Sequence, residues 1–107
     1  MFNKLQKEKS KTINDKEIID SIISKLNGIK VLLEDYPERV AIINEILNKY
    51  SYINYSPKTE VIKIDQKSSN ILDDLKEKSL KEIKDDDFER FILKLKLNLE
   101  DRNRYLQ

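Results

Sequence analysis

The most regular feature of the chain is an apolar repeat in its first half. From Ile19 onward, apolar residues recur alternately three and four positions apart, which is the spacing of one face of an α-helix. The ten positions of this repeat, which we name the seam, are Ile19, Ile22, Leu26, Ile29, Leu33, Tyr36, Val40, Ile43, Leu47 and Tyr50. Because every one of these positions is apolar, the pattern predicts helical structure whose seam packs in a core.

Two local signals place the helix ends in this region. Asn14 can cap the first backbone amides of a helix, and Glu17 follows at capping-box spacing. Pro37 disfavours helical geometry at the preceding residue, but proline is tolerated in a first helical turn. We therefore predict two helices, near 14–35 and 37–50, that meet at a tight corner. The same spacing would also allow an intermolecular coiled coil, and thus a homodimer through the seam.

The segment after the seam combines tyrosines with a proline-bearing turn. Apolar residues alternate on both sides of Ser56 and Pro57, which is typical of a short β-hairpin that pairs 51–55 with 60–65. An irregular loop that packs its tyrosines on the helices fits the same residues. The sequence therefore leaves both a hairpin and a loop open between residues 51 and 65.

Two further helices are predicted in the second half of the chain. Ser68, Ser69 and Asn70 can cap a short, mostly solvated helix that continues through Ile71 and Leu75. A final helix is predicted over 86–105, because three consecutive aspartates near its start place negative charge at a positive helix end.

The final helix contains a conflict between two periodicities. Leu93, Leu95, Leu97 and Leu99 alternate with polar residues, as in a half-buried strand. One helical stripe, however, is formed by Phe88, Phe91, Ile92, Leu95, Leu99 and Leu106. The leucine, lysine and glutamate content also favours a helix, so we interpret the segment as helical. Leu93 and Leu97 then lie one turn apart on the face opposite the stripe.

Together these patterns predict a mainly α fold, a small bundle of about four helices, with the hairpin near 51–65 left open. Residues 1–12 are rich in lysine and lack apolar periodicity, which indicates a flexible basic arm. At 107 residues, the chain has the length of one domain, so 13–107 is predicted to form a single helical domain.

Composition argues against catalysis and against a membrane span. The chain has neither cysteine nor histidine and has one glycine, which removes the usual nucleophiles, bases and phosphate-binding loops. The acidic run from Asp85 to Glu89 lacks the glycine of a calcium loop and fits helix capping better. We therefore expect no enzyme activity, no cofactor and no metal site. No apolar run reaches membrane-span length, so a cytoplasmic location is expected.

The unused apolar face of the last helix points to a protein partner. Leu93 and Leu97, followed by Tyr52 and Tyr55, are the candidate contacts. The leading hypothesis is a non-catalytic helical interaction module, which would serve as a small subunit, adaptor or regulator docking on a larger protein.

The alternative hypothesis is a small subunit associated with nucleic acid as part of an assembly. Its basic arm and last helix would contact the phosphate backbone through Lys4, Lys7, Lys9, Lys11, Arg102 and Arg104. The 21 basic residues are nearly cancelled by 20 acidic ones, so the net charge of +1 creates no overall attraction to nucleic acid or membrane.

Overall fold

The computed structural model describes residues 14–78, 80 and 82–106, and this part of the chain forms four α-helices without a strand. The four helices are α1 (Asp15–Leu32), α2 (Pro37–Ser51), α3 (Thr59–Glu77) and α4 (Asp85–Leu106). The prediction of a helical bundle with about four helices is therefore confirmed. The arm predicted over residues 1–12 lies outside the described residues.

The boundaries of α1 and α2 follow from the local signals in the sequence. The Asn14 side chain accepts a hydrogen bond from the Glu17 amide at 2.9 Å and caps the start of α1. Pro37 occupies the first turn of α2, where its missing amide donor is not needed. The chain reverses between Leu33 and Tyr36, and α2 packs back against α1. The predicted corner between two helices is confirmed.

The region between 51 and 65 contains no hairpin, and its residues 53–58 form an irregular connection, as the loop alternative predicted. Residues 60–65, predicted as the second strand of a hairpin, form the first turns of α3. The loop alternative is also wrong for the tyrosines, since Tyr52 and Tyr55 are exposed in the connection between α2 and α3. Over a run this short, the alternation of apolar residues is compatible with both the strand period and the helix period. In the structure, these residues pack against α1 as a helix.

The predicted cap at Ser68 and Ser69 is also wrong, because both residues lie buried in the middle of α3. Their hydroxyls accept hydrogen bonds from side chains of neighbouring helices instead of capping a helix terminus. Lys25 Nζ of α1 donates to Ser69 Oγ at 2.7 Å, and Asn98 Nδ2 of α4 donates to Ser68 Oγ at 3.0 Å. Ser69 therefore lies on the side of α3 that faces α1, and Ser68 lies on the side that faces α4.

Contacts between helix ends show that successive helices run in opposite directions. Asp15 at the start of α1 and Asp65 in the first half of α3 both bond Arg102 near the end of α4. Arg39 at the start of α2 bonds Asp85 at the start of α4. Helix α1 packs against α2 and α3, and α3 packs against α4. The parallel helices α1 and α3 therefore lie side by side, each with an antiparallel neighbour.

The seam supplies much of the core between these helices. Seven of its positions are buried, and these are Ile19, Ile22, Leu26, Ile29, Leu33, Ile43 and Tyr50. Val40 and Leu47 are partly buried against the same cluster, and Tyr36 is the exception, because it lies at the corner. The seam is therefore packed within a single chain.

Candidate functional site

The outer face of α4 exposes two leucines while the inner face buries two others. Leu95 is fully buried and Leu99 is nearly so, whereas Leu93 and Leu97 are 56% and 47% exposed. The helical interpretation of this segment is confirmed, and the two predicted contact residues lie one turn apart at the surface.

A groove runs beside Leu97, between α3 and α4, and Leu93 lies one turn away outside its lining. One part is a cavity of about 490 Å³ whose walls include Ile71 and Leu97. A second cavity, of about 240 Å³, is lined by Phe91 and Arg90. Lys94 lines both cavities, so they form one surface, which we name the α3–α4 groove. It brings Leu97 together with apolar residues that the sequence analysis did not select.

Unpaired positive charges border this groove. Lys67 lines the larger cavity, Lys78 the smaller one and Lys94 both, and in the described part of the chain none of the three makes an ion pair. Lys94 instead lies over the Phe91 ring, with its Nζ 6.0 Å from the ring centre. Arg90 has a partner within the groove, since its Nη1 lies 3.7 Å from Asp87 Oδ1. The acidic Asp101 also lines the larger cavity and pairs with Arg104 at 3.4 Å. The groove therefore combines apolar side chains with three lysines that have no ion-pair partner among the described residues.

The two predicted tyrosine contacts lie elsewhere. Tyr52 is 88% exposed and lines a separate cavity between the ends of α2 and α4. Tyr55 is half-exposed in the connection between α2 and α3. Because Leu97 lines a different cavity, the four candidate contacts do not make one surface.

Arg102 belongs to a buried charge cluster that the sequence analysis missed. Its Nε donates to both carboxylate oxygens of Asp65 at 3.0 Å, and its Nη2 donates to Asp15 Oδ2 at 2.7 Å. Nη2 also donates to the Asn54 carbonyl at 2.6 Å, while the Ser56 amide donates to Asp15 Oδ2 at 2.8 Å. Arg102, Asp15 and Asp65 are all essentially inaccessible to solvent. Contrary to its predicted role, Arg102 holds the bundle together and offers no surface to phosphate.

The two carboxylates of this cluster share one guanidinium. Burial and, second to it, the neighbouring Asp15 carboxyl raise the pKa of Asp65 from its ordinary value of 3.8 to about 7, although Arg102 opposes this rise. One positive charge compensates only one ionised carboxylate, so the protonated form of Asp65 is favoured at mildly acidic pH. The three charged side chains are at most 2% exposed and come from three different helices, so the cluster connects α1, α3 and α4.

Tyr50 lies beside the cluster and adds a second buried polar group. Burial raises the pKa of the Tyr50 hydroxyl to about 12. The adjacent Ser68 hydroxyl accepts a hydrogen bond from Asn98, and among the described residues none forms a hydrogen bond with Tyr50 Oη. Asp15 Oδ1 and Arg102 Nη1 are similarly unpaired in the described part of the protein. Buried groups of this kind are usually bridged by ordered water.

The spacing of apolar residues in the sequence does contain a signal for the buried charge cluster. Arg102 follows Leu95 and Leu99 at helical spacing, and Asp65 lies four residues after Val61 on the buried stripe of α3. A charged residue on an apolar stripe indicates a buried partner of opposite charge.

The structure does not bring the other candidate nucleic-acid contacts together on one surface among the described residues. Arg104 is exposed and its Nη2 lies 3.4 Å from Asp101 Oδ1. Lys4, Lys7, Lys9 and Lys11 lie outside the described residues.

Among residues 14–78, 80 and 82–106, no group of three or more acidic, histidine or cysteine side chains is arranged to hold a metal ion. No helix in the same part of the chain is both long enough and apolar enough to cross a membrane. The chain has no significant similarity to any protein-family model, curated protein or solved structure, so its function has to be inferred from its own side chains.

Proposed function

We propose that this protein is a non-catalytic helical interaction module that docks on a larger protein through the α3–α4 groove and the adjoining Leu93. In this role it would act as a small subunit, adaptor or regulator. The observation that carries the proposal is the exposure of two leucines one turn apart, Leu93 and Leu97, of which Leu97 lines the groove together with Ile71.

Energetics support a partner at this surface. Each leucine keeps about half of its side chain in water, and covering it would contribute about 1 kcal/mol. Nearby apolar residues increase that gain, because a partner would cover Ile71 and Phe91 in the same contact. An apolar surface bordered by charged residues is the usual arrangement of a protein-binding site.

The same residues give less support to nucleic-acid binding. Of the two arginines in the last helix that would have contacted phosphate, Arg102 is buried and Arg104 is paired with an acid. We therefore do not extend the proposal to nucleic acid.

The proposal is tested by comparing partner capture by wild-type protein with capture by the double variant L93S/L97S in extracts of the native host. A matched control is V31S/L32S, which removes two exposed apolar side chains from the end of α1. We expect a captured protein that is retained by the control and lost by L93S/L97S while the helical circular dichroism signal stays unchanged. Equal capture by both variants would reject the groove as the docking site.

A further inference from the structure

The hydrogen-bonding needs of its own backbone restrict which kind of peptide can occupy the α3–α4 groove. The described part of the chain has no strand, so an extended peptide would find no sheet edge to pair with. Such a peptide would cover its amides and carbonyls against apolar side chains without hydrogen bonds, which is costly. A helix satisfies its own backbone groups, so the groove fits a helix.

The length of the groove gives the size of that helix. Its lining residues on α4 extend from Asp87 to Asp101. At a rise of 1.5 Å per residue, these fourteen steps correspond to roughly 21 Å, or about four helical turns. A helix of similar length can place an apolar stripe along Phe91, Leu97 and Ile71.

The charges at the groove rim determine the polar residues of the occupant. The two acidic side chains that line the groove are paired with arginines, Asp87 with Arg90 at 3.7 Å and Asp101 with Arg104 at 3.4 Å, so they are not acidic partners of the rim lysines. The three rim lysines, 67, 78 and 94, have no ion-pair partner among the described residues. A second copy of this chain would oppose these lysines with lysines, which is unfavourable at short range.

We infer that the α3–α4 groove binds an amphipathic helix of a partner protein whose apolar stripe is flanked by aspartate or glutamate. This inference rests on the proposed function and specifies the chemistry of the partner. The acidic side chains pair with Lys67, Lys78 and Lys94, and the apolar stripe covers Leu97 and Ile71.

The test measures binding of three fluorescent helical peptides of about sixteen residues to the full chain. The peptides share one leucine stripe at i, i+4, i+7 and i+11, and their flanking positions are all glutamate, all glutamine or all lysine. Three partly exposed ion pairs predict about tenfold tighter binding of the glutamate peptide than of the glutamine peptide. The lysine peptide should bind most weakly, and the differences should shrink at about 0.5 M salt.

Two charge variants localise the effect. K67E/K94E should abolish the preference for glutamate, whereas K30E/K49E, which changes two lysines outside the groove to the same extent, should preserve it. Equal binding of the glutamate and glutamine peptides, or no binding of the glutamate peptide, would overturn the inference. The proposed function is judged separately by partner capture with L93S/L97S, so a failure of the charge preference is distinguishable from a failure of the docking site itself.

Discussion

Arg102 near the end of the last helix donates from Nη2 to Oδ2 of Asp15 at the start of the first helix, at 2.7 Å. Both side chains are buried, and the same guanidinium binds Asp65 through Nε. A single arginine thus joins α1, α3 and α4 at one end of the bundle. Because the cluster is removed from water, each of its members depends on the others for compensation of charge.

Replacing Arg102 by methionine should destabilise the fold severely. The R102M variant keeps most of the side-chain volume but leaves two buried carboxyl groups without their cation. Removing one partner from a buried ion pair costs about 3–5 kcal/mol. We expect a loss of that size in the free energy of unfolding, measured by urea denaturation followed by circular dichroism.

The exposed Arg104 provides a matched control for that change. Its ion pair with Asp101 is at the surface, so R104M should alter the free energy of unfolding by less than about 1 kcal/mol. Equal losses for the two variants would show that the buried cluster does not hold the bundle together.

The raised pKa of Asp65 makes stability depend on pH in a defined direction. The folded protein retains this proton up to about pH 7, whereas in the unfolded chain the carboxyl ionises near its ordinary pKa of 3.8. Between these values the folded state binds more protons, so the free energy of unfolding falls as the pH rises. The contribution of this one group approaches about 1.4 kcal/mol per pH unit.

The variant D65N isolates the contribution of Asp65, because asparagine keeps the shape of the side chain but does not titrate. Urea denaturation of both proteins at a series of pH values gives their difference in stability, in which the other titrating groups largely cancel. The wild-type protein should lose stability relative to D65N as the pH rises from about 4 to 7. A difference that stays constant, or that changes in the opposite direction, would contradict the charge balance described for this cluster.

The four alternating leucines of α4 allow a test of its burial pattern. Leu95 is fully buried, so L95A should reduce the free energy of unfolding by about 2–5 kcal/mol. Leu93 is exposed, and L93A should cost less than about 1 kcal/mol. Thermal and urea denaturation of the two variants provide the comparison. A large loss for L93A would place that leucine in the core and remove it from the proposed docking surface.

Local signals in the sequence were sufficient for three of the four helices. Asn14 caps α1, Pro37 starts α2, and the acidic run beginning at Asp85 lies in the first turn of α4. Each is a property of a few neighbouring residues, and each agrees with the apolar periodicity of its helix. The exposed pair Leu93 and Leu97 was found for the same reason, because helical spacing alone places them opposite the buried stripe.

Features that depend on distant residues were missed. Ser68 and Ser69 resemble a helix cap in sequence, but they are interior residues of α3 bound by Asn98 and Lys25. Arg102 resembles a surface cation until α1 and α3 bring their aspartates to it. The groove was missed for the same reason, since its walls come from two helices whose packing no single segment specifies.

The docking surface itself can be tested by site-specific photo-crosslinking in the native host. A photoreactive amino acid is placed at position 97, beside the groove, or at position 31, where the native valine is 69% exposed at the end of α1. We expect an adduct of discrete mass from position 97 and none of that mass from position 31. No adduct from position 97, or equal yields of the same adduct from both positions, would contradict the assignment of the α3–α4 groove as the binding surface.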